Sequence, residues 1–283
     1  MNNILTAIEA IVENSTLRVV VAPEGNTQNR ANQMGAALED YVKNAFSNCL
    51  GLDTRTVMQA RNKAFSYLGN NTNPPDAMLK GGDAIEIKKL TSLGATRLQF
   101  NSSYPKNKLY SINSKICSAC RECEEWQEKD MLYVVGQVNE QELQNIFFVY
   151  GDLYCDSHEV YEKVENAIKD GIESLDNVEL SETNELGRVN KVDHLEISDL
   201  RIRGMWLIKS PFQHFGYLTQ EITDYTFKLV ALIPEDKYNS FSNVNEFESF
   251  CSKNNVNIAD EEVSDPQNPA KLIKSKLITY YYK

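Results

Sequence analysis

The chain has 283 residues, of which 42% are hydrophobic, and this length and composition suit a globular protein with a sizeable core. No run approaches the roughly 18–20 apolar residues of a membrane span, and the amphipathic start lacks the basic region of a secretory signal, so we expect a cytoplasmic protein without membrane contact. The net charge of −11 argues against a nucleic-acid-binding protein, although a locally basic cleft stays compatible with it.

Two helices are predicted before the periodicity of the chain changes. Apolar residues recur at helical spacing over residues 31–50, and Glu39 lies on the rim of that apolar face. A second helix is predicted over residues 54–68, where Gly69 and the polar loop behind it end the helical pattern.

The following segment is predicted to form a β-hairpin. Its strands cover residues 76–79 and 84–89, and the turn between them contains two glycines. Alternate residues of a strand point to opposite sides. Glu86 and Lys88 therefore share one face of the second strand, and two isoleucines share the other.

The rest of the chain mixes strand and helix patterns. A helix is predicted over residues 157–174, opening on the cap pattern Asp156-x-x-Glu159, while the polar residues 255–269 are predicted to form a loop. Further strands are predicted at residues 131–138, 145–150, 200–208 and 225–233. This mixture indicates an α/β or α+β fold, and we expect α/β.

Asp76, Glu86 and Lys88 form a pattern that suits phosphodiester hydrolysis. Two carboxylates offer the hard oxygen ligands that Mg²⁺ prefers, and the lysine projects to the same side of the strand, where it can orient an attacking water. Glu39 is a candidate auxiliary ligand, whereas the position of Asp83 in a turn explains it sufficiently. Glu-x-Lys alone also describes a solvated strand face, so this motif does not decide the function.

Cysteines suggest a second kind of metal site. A structural zinc ion could be held by Cys117, Cys120, Cys123, Cys155 and His158, because paired soft ligands two residues apart are usual for zinc. Ile112, Ile116 and two of these cysteines also fit the buried face of a helix, and we favour this second interpretation.

Blocks of sequence spread nearly from end to end match one known family. They include Asn73-Pro-Pro-Asp-Ala-Met-Leu79, Gly82-Asp-Ala-Ile-Glu-Ile-Lys-Lys89 and Arg201-Ile-Arg-Gly-Met-Trp206. In these blocks the chain resembles the NgoPII-type restriction endonucleases of the PD-(D/E)xK nuclease superfamily.

The resemblance implies a restriction-endonuclease-like core, with a mixed central sheet flanked by helices, in a prokaryotic protein. It further implies a homodimer that uses Mg²⁺ to cut double-stranded DNA at GGCC, with Asp76, Glu86 and Lys88 in the catalytic pattern. Because the blocks span the chain, we expect a single nuclease domain over residues 1–283, with a catalytic core at about 30–150 and a DNA-recognition region at about 180–283.

Guanine-rich targets are read most readily by arginine or lysine in the major groove. Arg201 and Arg203 alternate with apolar residues, so both guanidinium groups are expected on one side, whereas Lys106 is typical of a phosphate contact. A surface salt bridge explains any single arginine at least as well. The candidates for DNA contacts are Arg188, Asn190, Lys191, Arg201, Arg203 and Lys106.

Two other classes of protein stay open at this stage. A repair or structure-specific nuclease of the same superfamily would share the catalytic hairpin but not the sequence-specific region. A non-catalytic DNA-binding or toxin-neutralising protein would use the carboxylates for structure alone.

Overall fold

The structure, a computed structural model, describes residues 2–15, 27–70, 72–92, 94–101, 103–139 and 142–283, and in the second helix it describes side chains from residue 35 onward. The helices are α1 (Ile4–Glu13), α2 (Thr27–Phe46), α3 (Thr54–Ala64), α4 (Ser118–Arg121), α5 (Gly151–Tyr154), α6 (His158–Glu173), α7 (Pro211–His214), α8 (Glu235–Asn239) and α9 (Val244–Lys253). In the part of the chain covered by these ranges, no helix is long and apolar enough to cross a membrane.

The strands fall into one large sheet and two small ones. They are β1 (Phe65–Tyr67), β2 (Ala77–Leu79), β3 (Ala84–Leu90), β4 (Arg97–Asn101), β5 (Lys108–Tyr110), β6 (Glu128–Asn139), β7 (Glu142–Tyr150), β8 (Glu179–Leu180), β9 (Gly187–Asn190), β10 (Leu200–Ile202), β11 (Met205–Lys209), β12 (Phe227–Pro234), β13 (Asn257–Asp265) and β14 (Asn268–Tyr282).

Among the described residues, nine strands form the large sheet. Its order is β1-β2-β3-β6-β7-β12-β14-β13, and β5 pairs with β6 outside this path. The pairs β3–β6 and β7–β12 are parallel, and the pairs β2–β3, β6–β7 and β12–β14 are antiparallel. The prediction of an α/β fold with a mixed central sheet flanked by helices is confirmed.

The two faces of this sheet pack against different layers. On one face Ile85 and Ile87 join the core formed with α1, α2 and α9, which includes Phe46 and Phe247. On the other face Tyr133 joins a core that contains residues of α5, β4 and β11. Since β3 sends alternate residues to the two faces, Glu86 and Lys88 lie on the side of β4 and β11.

Local sequence explains how the helices next to the hairpin begin and pack. Asp53 caps α3 by accepting hydrogen bonds from the backbone N–H groups of Arg55 and Thr56 at 3.0 and 3.2 Å. Helix α2 approaches β6 closely at Gly136, where an added Cβ would lie 2.8 Å from the side chain of Leu38. This contact fixes the helix that carries Glu39 against the sheet.

Several predicted elements differ from the structure. The helix predicted over residues 54–68 ends at Ala64, because the next three residues pair with β2 as β1. The loop predicted at residues 255–269 is wrong, since β13 and β14 cross this segment as long partners. The strand predicted at residues 200–208 divides into β10 and β11, which belong to different sheets.

Two further helix predictions also need correction. Helix α6 has Ser157 as its N-cap, one residue after Asp156, and the Asp156 side chain accepts from the Ser157 N–H at 2.7 Å instead. The predicted buried helix face around the first cysteines is wrong, because Ile112 is 89% exposed and only the four residues of α4 are helical there.

Candidate active site

The hairpin places Asp76 beside the strand that carries the other two catalytic candidates. Strands β2 and β3 are antiparallel, with Ala77 opposite Ile85. Asp76 Oδ2 accepts a hydrogen bond of 2.6 Å from the backbone N–H of Ile87. This bond anchors the carboxylate of Asp76 to β3, next to Glu86.

Glu86 and Lys88 form an ion pair on one face of β3. Lys88 Nζ lies 2.6 Å from Glu86 Oε1, and it also lies 5.0 Å from the centroid of the Phe100 ring on β4. Glu86 is only 6% exposed, and its second oxygen, Oε2, has no hydrogen-bond partner among the described residues. A buried carboxylate oxygen without a partner is costly, which indicates a place for a cation.

The local environment changes the proton affinities of these groups. Burial, followed by repulsion from the Glu86 carboxylate, raises the pKa of Asp76 to about 7. Burial opposes the charge on Lys88, but the carboxylates of Glu86 and Asp76 outweigh it and raise the pKa of Lys88. Two carboxyl groups therefore lie beside one ammonium group, and the repulsion that raises the pKa of Asp76 would be relieved by a bound metal ion.

These three side chains open into one cavity of about 180 Å³. Its wall also contains Asn70, Thr72, Asn73, Pro74, Gln99, Phe100, Asn101 and Ser103. The wall is rich in amides and hydroxyl groups, which can donate hydrogen bonds to phosphate or contact the edges of bases.

These polar wall residues were not predicted as part of the site. Asn70 organises one side, since its Oδ1 accepts from the backbone N–H groups of Thr72 and Asn73 at 2.8 and 2.7 Å. Gln99 and Asn101 come from β4, where exposed polar residues alternate with buried apolar ones. That alternation was the signal that could have identified them.

Glu39 lies near the site but does not complete a metal-binding set. Its negative charge contributes to the raised pKa of Asp76. Its carboxylate binds Lys43, whose Nζ lies 3.3 Å from Glu39 Oε2 and 3.1 Å from the carbonyl oxygen of Leu68. Lys43, which was not predicted from the sequence, holds Glu39 towards the loop that leads to Asp76.

The donor set of the site fits Mg²⁺ in one specific way. Among the described residues, no three His, Cys, Asp or Glu side chains come together well enough to hold a metal ion. Mg²⁺ usually takes one or two protein carboxylates and completes its octahedron with water and substrate phosphate. Asp76 and Glu86 Oε2 match that requirement.

The zinc alternative receives no support from the described part of the chain. Cys120 and Cys155 are fully buried, and the Cys120 thiol contacts the Met78 sulfur at 3.2 Å. Cys123 Sγ donates to the carbonyl oxygen of Cys120 at 3.0 Å, and the ring of His158 lies 5.2 Å from that of Tyr110 at an interplanar angle of 56°. The predicted ligands thus have separate packing contacts, and no group of three converges in the ranges that the structure describes.

The cationic candidates for DNA recognition, which lie on β9 and β10 or one residue beyond them, are held in ion pairs. Glu185 binds two arginines. Its Oε1 lies 2.8 Å from Arg201 Nη2 and 2.5 Å from Arg203 Nε. Arg188 Nη2 lies 2.6 Å from Asp199 Oδ2, and Lys191 Nζ lies 3.0 Å from Glu179 Oε2. The amide oxygen of Asn190 accepts from Ser181 at 3.4 Å. Arg201 and Arg203 lie on one side of the chain, as predicted, but both guanidinium groups are already paired with the Glu185 carboxylate.

Lys106 is buried, with 3% exposure, so its position does not favour the predicted phosphate contact. Its Nζ donates to Ser103 Oγ at 2.5 Å and to the carbonyl oxygen of Tyr104 at 3.0 Å. Burial lowers the pKa of Lys106 to about 8. Lys106 supports Ser103, which lines the cavity of the candidate site.

Comparison with known proteins identifies the family of the chain. The sequence model of the NgoPII restriction endonuclease family matches residues 2–264. The chain is 44% identical over 280 residues to the type II restriction enzyme NgoPII of Neisseria gonorrhoeae, an alignment that covers 99% of each chain. No solved structure matches it. The chain therefore belongs to the NgoPII restriction endonuclease family.

Proposed function

We propose that this chain is a magnesium-dependent type II restriction endonuclease that hydrolyses double-stranded DNA with Asp76, Glu86 and Lys88. The observation that carries the proposal is the convergence of these side chains in one open cavity, where Glu86 Oε2 has no partner among the described residues. A volume of about 180 Å³ is several times the roughly 30 Å³ of one water, so a hydrated cation fits.

Each side chain has a separate task in this reaction. Asp76 and Glu86 hold Mg²⁺, which when bound supplies charge stabilisation and lowers the pKa of a water molecule. Lys88 Nζ, kept in place by Glu86 Oε1 and by the Phe100 ring, orients the attacking water and stabilises charge on the phosphate. The expected products carry 5′-phosphate and 3′-hydroxyl ends. Glu39 assists from the rim as an auxiliary group.

The target is proposed to be GGCC, in line with the resemblance to the NgoPII-type enzymes. A two-fold-symmetric site calls for two active sites, one for each strand, so a homodimer is part of the proposal. The location is proposed to be the cytoplasm of a prokaryote.

The division into a catalytic core and a DNA-recognition region stays a prediction, and β4–β11 pairing joins strands from both regions.

The candidates on β9 and β10 stay predictions as DNA contacts. For Arg201 or Arg203 to bind guanine, the ion pair with Glu185 has to break or rearrange. This rearrangement has to replace a bidentate pair, because Arg201 Nε and Nη2 donate to the two carboxylate oxygens of Glu185 at 3.0 and 2.8 Å.

Digestion of a sequenced plasmid tests the proposed function. We expect discrete fragments with Mg²⁺ and none with chelator, and end mapping should give GGCC at every cut. A plasmid that stays intact with Mg²⁺ at high protein concentration would contradict nuclease activity. Discrete cuts at another sequence would contradict the target alone, and random cuts would indicate a structure-specific or repair nuclease.

A further inference from the structure

Strands β4 and β11 form a two-stranded ribbon with one buried and one exposed face. Their register places Asn101 opposite Met205, Gln99 opposite Leu207 and Arg97 opposite Lys209. These six side chains are exposed and share one face, which we call the ribbon face. The other face of the ribbon packs on the large sheet through Leu98 and Phe100 of β4 and through Trp206 and Ile208 of β11.

The ribbon face is continuous with the candidate active site. Gln99 and Asn101 line the cavity that contains Asp76 and Lys88. Arg97 lies at the opposite end of β4, four residues before Asn101, and this separation is about 13 Å at the usual rise of a strand. That length equals the rise of roughly four base pairs of B-DNA.

The charges of the ribbon face also differ from those on β9 and β10. Arg97 and Lys209 are adjacent cations, and in the described ranges neither forms an ion pair with a carboxylate. In a chain with net charge −11, two neighbouring unpaired cations that extend from a catalytic cavity favour an anionic partner.

We propose that the ribbon face enters the major groove of the DNA substrate, with Gln99 and Asn101 on base edges next to the scissile phosphate and with Arg97 and Lys209 on phosphates farther along. This inference rests on the proposed function. The major groove of B-DNA admits a two-stranded ribbon, and amide and guanidinium groups are the side chains that pair with base edges there. Such a contact also aligns the duplex with Lys88, because the Phe100 ring beneath Lys88 belongs to the same ribbon.

Binding measurements on the full-length protein test this inference. The probe is a labelled duplex that contains the site mapped by plasmid digestion, with Ca²⁺ in place of Mg²⁺. We expect Arg97→Ala/Lys209→Ala to weaken binding at least tenfold and to reduce the slope of log K against log salt by about 2, roughly 0.9 for each lost phosphate contact. Lys253→Ala, an exposed charge on α9, is the matched control and should leave both quantities unchanged.

Gln99→Ala tests base recognition separately from phosphate contact. The ratio of cleavage rates on the mapped site and on a duplex with one changed base pair should fall at least tenfold, corresponding to about 1–3 kcal/mol per bidentate contact. If the wild-type protein cleaves DNA but all of these variants keep its affinity, salt slope and ratio of cleavage rates, the inference is overturned. If the wild-type protein cuts no duplex, the proposed function fails instead.

A second copy of the chain is the other possible occupant of the ribbon face. Met205 and Leu207 are 56% and 51% exposed, and they would be buried if two copies met there. Sedimentation of Met205→Ser/Leu207→Ser without DNA distinguishes the two occupants. Unchanged mass supports the DNA assignment, whereas conversion of a wild-type dimer to a monomer overturns it.

Discussion

Asp76 is expected to decrease the stability of the metal-free protein at neutral and alkaline pH. Its pKa rises from an ordinary value of 3.8 to about 7 through burial and through repulsion from Glu86. A shift of about three pKa units, at about 1.36 kcal/mol each, corresponds to a cost of about 4 kcal/mol for the ionised group. Asp76→Asn removes this charge and should stabilise the metal-free fold while it abolishes cleavage.

The dependence on pH follows from the sign of this shift. A carboxyl group with a raised pKa binds its proton more tightly in the folded state, so its contribution to stability declines as pH rises from about 4 through about 7. The stability advantage of Asp76→Asn over wild type should therefore grow by about 2–3 kcal/mol between pH 5 and pH 8, and level off above that. Comparison of the two proteins at each pH cancels the titration of other groups.

Urea unfolding in chelator at the two pH values measures this difference. Asp170→Asn, an exposed substitution on α6, is the control and should show no comparable change. Added Mg²⁺ should stabilise wild type more than Asp76→Asn, because a ligand that binds only the folded state stabilises it. An Asp76→Asn protein that is less stable than wild type at both pH values would refute this account of the site.

Two further substitutions test the scaffold around the site. Gly69→Ala should lower the free energy of unfolding by at least about 2 kcal/mol and also reduce cleavage, because Gly69 has a φ of +80° and an added Cβ would collide with the Asp76 carbonyl oxygen. In the control Gly171→Ala, on α6, the added Cβ meets nothing within 4 Å, so melting and cleavage assays should show no loss. Asp130→Asn should destabilise the protein at pH 7 by about 1–3 kcal/mol. Burial opposes the charge on Asp130, but hydrogen bonds from Lys108 and Lys237 lower its pKa, so urea unfolding should show this penalty disappearing as pH falls below about 4.

The hairpin was predictable because its signals are local. Two glycines mark the turn, and alternation along β3 separates Glu86 and Lys88 from Ile85 and Ile87. Strands β6 and β7 were also predicted to within a few residues at each end. In these elements the local preference and the tertiary packing agree.

The polar edge of the large sheet was missed for a physical reason. Strand β13 lies at the end of the strand order, and most of its side chains are exposed or half-exposed, so it lacks the apolar face that marks a strand in a sequence. It is a strand because it pairs with β14 over the register Asn257 to Asp265. Long-range backbone pairing of this kind leaves little trace in composition.

The proposed DNA-contacting surface was also only partly predictable. Strand alternation placed Arg201 and Arg203 on one side, but Glu185, sixteen residues earlier than Arg201, became their partner only through folding. The pairing of β4 with β11 brings together Arg97 and Lys209, which are more than a hundred residues apart in the chain. Neither contact follows from a local pattern.

Cleavage by two neighbouring lysine variants tests the catalytic assignment most directly. Lys88 and Lys89 follow each other on β3 and point to opposite faces, so Lys89→Ala is a matched control for Lys88→Ala. Under single-turnover conditions with Mg²⁺, Lys88→Ala should cut the mapped duplex about 10²–10⁴-fold more slowly than wild type, while Lys89→Ala should stay within a few-fold. Equal rates for wild type and Lys88→Ala would contradict the account.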